Sequence, residues 1–265
     1  MNNEIRKRLP QFYKNLNGKT AIITNDIDSL MSFYFLKQKF DTIYINGFYN
    51  FNALYLSIPS QKDMFGIDLD SLELPTFSNH ITHFYRNDSA VNLNNIFDIK
   101  YHQKFPLSTT MLILSLYDFD LESFSDEQLK IILSIDAGFK GYYTRNEFFK
   151  DIYLEWLDKL DIRFLEDRIL KQMTSEEFYN IMRKYNLMGM ITIKEKGFLN
   201  SNIDLGNISE VFNDEIDLPI YPFCKQEVYQ YEVVNPNQQA IPDKEDIFSM
   251  AWTEKDVLKM SLKVA

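Results

Sequence analysis

Cysteine is almost missing from this chain of 265 residues. Cys224 stands alone, which excludes an internal disulfide and a cysteine-built zinc site. Nothing around Cys224 supports a nucleophile, so it reads as a small buried side chain. A basic stripe is also lacking. The longest basic cluster, Arg6-Lys7-Arg8, falls in a helix-like stretch and reads as a solvated face. Lys and Arg total 28 against 38 Asp and Glu, a formal charge of −10. Counterion release supplies most of the grip on long nucleic acid, so no long duplex partner is expected. No apolar run approaches the length of a membrane span, and the opening residues lack that of a signal peptide. The expectation is a cytoplasmic protein without a membrane partner. Internal repeats and low-complexity tracts are missing too.

Core-forming residues are plentiful. Hydrophobic residues make up 45% of the chain and aromatics 15%, with 22 Phe and 16 Tyr, which excludes wholesale disorder. Residues 3–15 read as a helix stopped by Asn17-Gly18. Residues 19–24 form an apolar, β-branched run expected to be a buried strand. A polar turn with Asp26 and Asp28 follows, then helical spacing to Phe40, so the chain opens as an α/β unit. Further strands are expected at 42–45, 64–67 and 74–78, and helices at 107–117, 126–135 and 147–160. Thr174 and Glu177 have capping-box spacing for a helix running to about Lys184. A strand-like segment at 190–194, a turn and a second apolar segment at 208–212 follow. Residues 246–252 and 257–264 read as a β-hairpin around a polar loop. The expected architecture is α/β, a mostly parallel sheet flanked by helices over residues 1–190. A smaller C-terminal α+β part is expected over residues 191–265.

Open α/β sheets bind ligands beyond the carboxyl ends of their strands. Several expected strands here end in an acid or a histidine. Asp26 and Asp28, one residue apart after the first strand, can ligate a divalent cation, or one of them can cap the following helix. Asp68 and Asp70 follow the strand at 64–67; an acidic turn is the plain alternative. His80 and His83 follow the next strand, and all three histidines of the chain, His102 included, fall in one segment. Asp136 sits between Leu133-Ser134-Ile135 and Ala137-Gly138, where capping a turn is its alternative role.

The order of these groups resembles the DHH phosphoesterase superfamily over residues 19–160. Asn92, Asn94 and Asn95 resemble the asparagine segment that follows that family's histidine motif, and residues 101–110 resemble the helix-opening stretch beyond it. The resemblance implies that Asp26, Asp28, Asp68 (with Asp70 as fallback), His80 and Asp136 hold Mn²⁺ or Mg²⁺. It implies that Asp28, Asp68, His80 and Asp136 carry catalysis by metal-activated water. Lys104 and His83 are the candidates for substrate contact.

The chain departs from the family pattern. Ile22, Ile23 and Thr24 stand where a histidine usually opens the first motif, and the triplet reads Asn79-His80-Ile81. Asn79 cannot supply the charge that orients a ligating imidazole. The glycine-rich motif of the family's substrate domain is missing. The expected function is hydrolysis of phosphodiester bonds in a short oligonucleotide or small cyclic nucleotide. The alternative is a catalytically degenerate module for nucleotide binding or protein interaction. An unrelated α/β protein with accidental acidic strand ends is a third reading. The C-terminal hairpin could also pair across a homodimer.

Overall fold

The computed structural model describes residues 1–59, 63–82, 84–97 and 99–264. The first turn of chain is a short helix α1, Asn3–Arg6, followed by a 3₁₀ turn at Gln11–Lys14. The single helix expected over 3–15 is broken at Pro10, which has no N–H to donate to a continuing helix. Strand β1, Thr20–Ile23, is buried along its whole length. Helix α2, Ile27–Lys39, then crosses to β2, Tyr44–Tyr49, which lies parallel to β1. Gly47 opposes Ile22 across that pair; a Cβ there would come within 2.6 Å of the Ile22 side chain, so the close approach needs glycine.

A tight turn carries the chain from β2 into β3, Ala53–Leu56, which runs antiparallel to it. Then come β4, Met64–Ile67; β5, Thr76–Phe77; and β6, Ala90–Val91, each added parallel on the other side of β1. Helices α3, Leu93–Phe97; α4, Thr109–Leu116; α5, Asp126–Ser134; α6, Glu147–Leu160; α7, Phe164–Arg168; and α8, Ser175–Lys184 follow. Thr174 and Glu177 form the expected capping box on α8. Strands β7, Ile191–Ile193, and β8, Leu199–Ser201, make a small separate hairpin. The apolar segment at 208–212 is part of a helix, α9, Leu205–Phe212, capped by Asp204. The chain closes with β9, Cys224–Val234; β10, Ile247–Glu254; and β11, Val257–Lys263. The C-terminal hairpin is thus where the sequence pattern put it.

Among the described residues, nine strands form one sheet in the order β10-β11-β9-β3-β2-β1-β4-β5-β6. From β2 to β6 the neighbours are parallel; from β2 through β3, β9 and β11 to β10 they are antiparallel. The sheet is therefore mixed, not mostly parallel as the sequence suggested. The turn between β2 and β3 reverses the chain, and each strand added beyond β3 reverses direction again relative to its neighbour. The sheet also continues across residue 190, because β9 pairs with β3.

Alternation along β1 sorts its side chains between two faces. Ala21 and Ile23 enter the main core with α2, α4, α5 and α6. Ile22 points the other way, into a smaller core with Tyr49, Leu69, Tyr229 and Phe248. That second face is covered by the chain's own C-terminal strands rather than by helices. The Tyr49 hydroxyl bonds the hydroxyls of Ser249 on β10 and Ser261 on β11. Curling brings β10 back to the opposite end of the sheet, where it bridges Ser71 and Ile81. Cys224, expected inside, opens β9 on its exposed stretch and faces solvent.

Candidate metal centre

Parallel strands order themselves here as β2-β1-β4-β5-β6, so the chain leaves β1 toward opposite sides for β2 and β4. The carboxyl ends of β1 and β4 therefore flank a topological switch point, the usual crevice of open α/β sheets. Asp26 and Asp28 follow β1, Asp68 follows β4, and Asn79-His80 follows β5. Asp136 arrives from a turn at the end of α5.

Ligand atoms of Asp28, Asp68 and Asp136 lie within 4.8 Å of one another. Residues separated by more than a hundred positions thus meet at one point. Asp28 is fully buried and receives the N-terminus of α4. Its Oδ2 accepts the Thr109 amide at 2.7 Å, and its Oδ1 accepts the Thr110 amide and hydroxyl, each at 2.7 Å. Oδ1 is saturated, while Oδ2 keeps one acceptor site open. The Thr109 hydroxyl donates to Asp68 Oδ1 at 2.8 Å. Asp68 and Asp136 both sit in left-handed backbone, each at φ 53°. Aspartate tolerates that region at modest cost, and such outliers cluster at functional sites.

Asp26 does what its alternative reading proposed: Oδ1 accepts the Ser29 amide at 3.1 Å and caps α2. Its carboxyl still faces the cleft beside Asp136. Burial, with Asp136 adding, pushes Asp26 up to about 6 against help from the Ser29 amide and His80. Burial pushes Asp28 well up as well, and Asp136 and Asp26 push the same way. Asp68 is raised by burial and by the charges of Asp26, Asp28 and Asp136. Each is a carboxylate kept from water and crowded by like charge.

His80 is held by a partner the local motif did not show. Its Nδ1 lies 2.8 Å from Asp70 Oδ2, and Asp70 is nearly fully buried. Burial pushes the imidazole down, but Asp70 and Asp136 outweigh it and raise its pKa. Asp70 therefore supplies the orienting charge that Asn79 lacks, leaving Nε2 as the second ring nitrogen. Asn79 instead donates to Asp136 Oδ2 at 3.2 Å and to the Leu107 carbonyl at 3.1 Å. The asparagine segment serves as scaffolding: Asn92 donates to the His80 carbonyl and Asn94 to the Asn79 carbonyl, both at 2.7 Å.

Asp26, Asn79, His80, Lys104 and Asp136 line a cleft of about 810 Å³, while Asp28 and Asp68 are buried off its surface, within reach of Asp136. Its walls add Lys140, Tyr179, Arg183, Glu254 and Lys259, none of which the sequence patterns singled out. No local signal marks these five, because they come from four remote segments. Burial lowers the Lys104 pKa, and Asp136 and Glu254 partly restore it. His83 lies outside the described residues. His102 is exposed and packs its ring 6.0 Å from Phe148.

The donor set suits a hard divalent cation. Three carboxylates within reach of one another, with an imidazole beside them, match Mn²⁺ or Mg²⁺ preferences. Beside the site, the buried oxygens Asp70 Oδ1 and Asn79 Oδ1 have no hydrogen-bond partner among the described residues, which marks a site short of positive charge or donors. Comparison with family models, curated proteins and solved structures finds no match. Among the described residues, no helix is long and apolar enough to cross a membrane.

Proposed function

We propose that this chain is a divalent-cation-dependent phosphoesterase acting on a short oligonucleotide or a small cyclic nucleotide, as a divergent relative of the DHH phosphoesterases. The convergence of Asp28, Asp68 and Asp136 at the switch point carries this reading. Asp28, Asp68 and Asp136 would hold the cation, with His80 and Asp26 beside them. A bound Mn²⁺ or Mg²⁺ supplies a lowered pKa for water and neutralises charge on a phosphoryl group. The remaining work falls to the chain itself. Asp70 fixes the His80 ring. The N-terminus of α4 fixes Asp28, and the Thr109 hydroxyl fixes Asp68. Lys104, Lys140 and Lys259 bring positive charge to the cleft walls for a phosphate. A cleft of about 810 Å³ has room for a ligand of a few nucleotides at most, in keeping with the −10 charge of the chain.

The test is turnover by purified protein with Mn²⁺ on a panel of short oligonucleotides and cyclic dinucleotides. Hydrolysis absent from an Asp68→Asn control supports the reading; no hydrolysis of any substrate above that control overturns it.

A second reading, a degenerate binding module, is favoured by the three hydrogen bonds that already engage Asp28 and by Asn79 in an acid's place. Calorimetry separates the two. Tight Mn²⁺ binding supports the enzyme, and its absence supports the module.

A further inference from the structure

One wall of the cleft is apolar. Tyr179 and Met182 on α8, and Leu187, Met188 and Met190 just beyond it, line the same cavity as Asp26 and Asp136. Met182 and Leu187 are buried, whereas Met188 is 75% exposed and Met190 51%. Of the large apolar side chains exposed among the described residues, these two alone line the cleft. The turn that presents them is pinned. Gly189 donates its amide to the Asn186 carbonyl at 2.8 Å, and a Cβ on it would come within 2.6 Å of the Asn202 side chain. The Met190 amide donates to Asn202 Oδ1 at 2.7 Å. The Ile191 amide donates to the Asn25 carbonyl at 2.8 Å, which ties the residue after Met190 to the residue before Asp26. Apolar surface held open to water on a fixed turn gains free energy when a ligand covers it, and polarizable thioethers favour aromatic rings.

We infer that Met188 and Met190 form a shelf for the nucleobase of the ligand whose phosphate is held at Asp28, Asp68 and Asp136. The inference rests on the proposed reading of that cluster as a cation-dependent phosphate site. Polarity selects a base over an alkyl tail. Asn25, Arg183 and Asn186 line the same cleft as the two methionines. Their amide and guanidinium groups can bond the edge of a heterocycle, whereas a hydrocarbon chain would take them from water and give no partner in return. Arg183 is already paired with Glu176 at 2.6 Å, which balances its charge and leaves it a poor anchor for a second phosphate. The shelf and the acidic cluster share one cavity and are joined by the Ile191–Asn25 bond, so a base and its own phosphate can be held at once.

Mononucleotides test this without turnover, because they hold no phosphodiester bond. Calorimetry in Mg²⁺ compares adenosine monophosphate with ribose 5-phosphate, which has the same charge and no base, and with octyl phosphate, which has an alkyl tail instead. Wild-type protein is expected to bind adenosine monophosphate at least about fivefold more tightly than ribose 5-phosphate, the order expected of two thioether–ring contacts. In a double variant, Met188→Ser with Met190→Ser, that ratio should fall to near one while ribose 5-phosphate binds as before. The unchanged sugar-phosphate affinity shows at once that the variant is folded. In unmodified protein, the methyl NMR signals of Met188 and Met190 should shift with adenosine monophosphate and stay in place with ribose 5-phosphate. Should the double variant lose ribose 5-phosphate as well, these methyl shifts decide. The shelf is overturned by a wild type without base preference, by a folded double variant that keeps the preference, or by unmoved methyls. Tighter binding of octyl phosphate than of adenosine monophosphate overturns it too. A base preference in a protein that hydrolyses no phosphodiester overturns the phosphoesterase reading and leaves the shelf; hydrolysis without a base preference does the reverse.

Discussion

Asp26 and Asp28 are two positions apart, yet they serve different helices. Asp26 caps α2, the helix it begins, while Asp28 receives the first amides of α4 from more than eighty residues away. Burial and mutual repulsion raise both, as they raise Asp68. The linkage has a definite sign. Folded carboxyls that keep their protons above the ordinary 3.8 bind more protons than the unfolded chain, so stability falls as pH rises from there through about 6 for Asp26, with the raised Asp28 and Asp68 acting in the same sense. Cation binding displaces those protons, so stabilisation by Mn²⁺ should widen over the same interval. Melting temperatures in EDTA and in Mn²⁺, from about pH 5 to about pH 8, check both trends. A gap that stays constant would contradict them. Asp68→Asn relieves the repulsion at a left-handed position that asparagine also tolerates. It should raise the metal-free melting temperature by about 3–6 °C at the alkaline end while abolishing the Mn²⁺ response. Asp70→Asn removes the charge beside His80, so the imidazole midpoint should drop from its raised value toward 6.5 or below when followed by NMR. Mn²⁺ affinity should weaken with it by about 10- to 100-fold.

At the scale of elements, α4 does more than cover the sheet. Its two leading threonines tie the carboxylates from β1 and β4 to one helix end, where backbone amides favour negative charge. Ser108 caps the same end by accepting the Met111 amide. Thr110→Val keeps the size but removes the hydroxyl donor to buried Asp28. It should cost about 1.5–3 kcal/mol in urea denaturation, the range for hydrogen bonds to charged groups. Loss below about 0.5 kcal/mol would mean that the two amides suffice. Most of these elements were legible. Alternating or β-branched apolar runs marked β1, β4, β10 and β11, and cap residues marked α8. What failed did so for identifiable reasons. Pro10 split the first helix, and α9 carries an apolar segment too short for its period to be told from a strand's. Strand β9 escaped because both its faces are largely exposed, so it lacks the alternation that flags a half-buried strand.

Across the whole molecule, the last strands act on the first. The Tyr49 hydroxyl bonds Ser249 and Ser261, and β10 amides bond the Asp70 and Ile81 carbonyls, at 3.0 Å from Met250 and 3.1 Å from Trp252. The C-terminal hairpin thereby braces the two segments that carry the Asp70–His80 pair. Tyr49→Phe should cost about 1–3 kcal/mol, since it strands the buried Ser249 hydroxyl while Ser261 keeps its bond to the Phe51 carbonyl. Amide exchange at Met250 and Trp252 should quicken with it, and unchanged exchange would show that the hairpin docks without this contact. The sequence by itself determined the α/β character, the buried first strand, the closing hairpin and the identity of the acidic and imidazole groups. These depend on periodicity, caps and residue chemistry within a few positions of each other. Only the tertiary structure decided the reversal of the sheet at β3, the covering of its second face by β10, the choice of Asp70 as the partner of His80, and the meeting of Asp28 with Asp136. Each of those is a contact between distant segments, set by how the curled sheet closes on itself, and no local pattern encodes it.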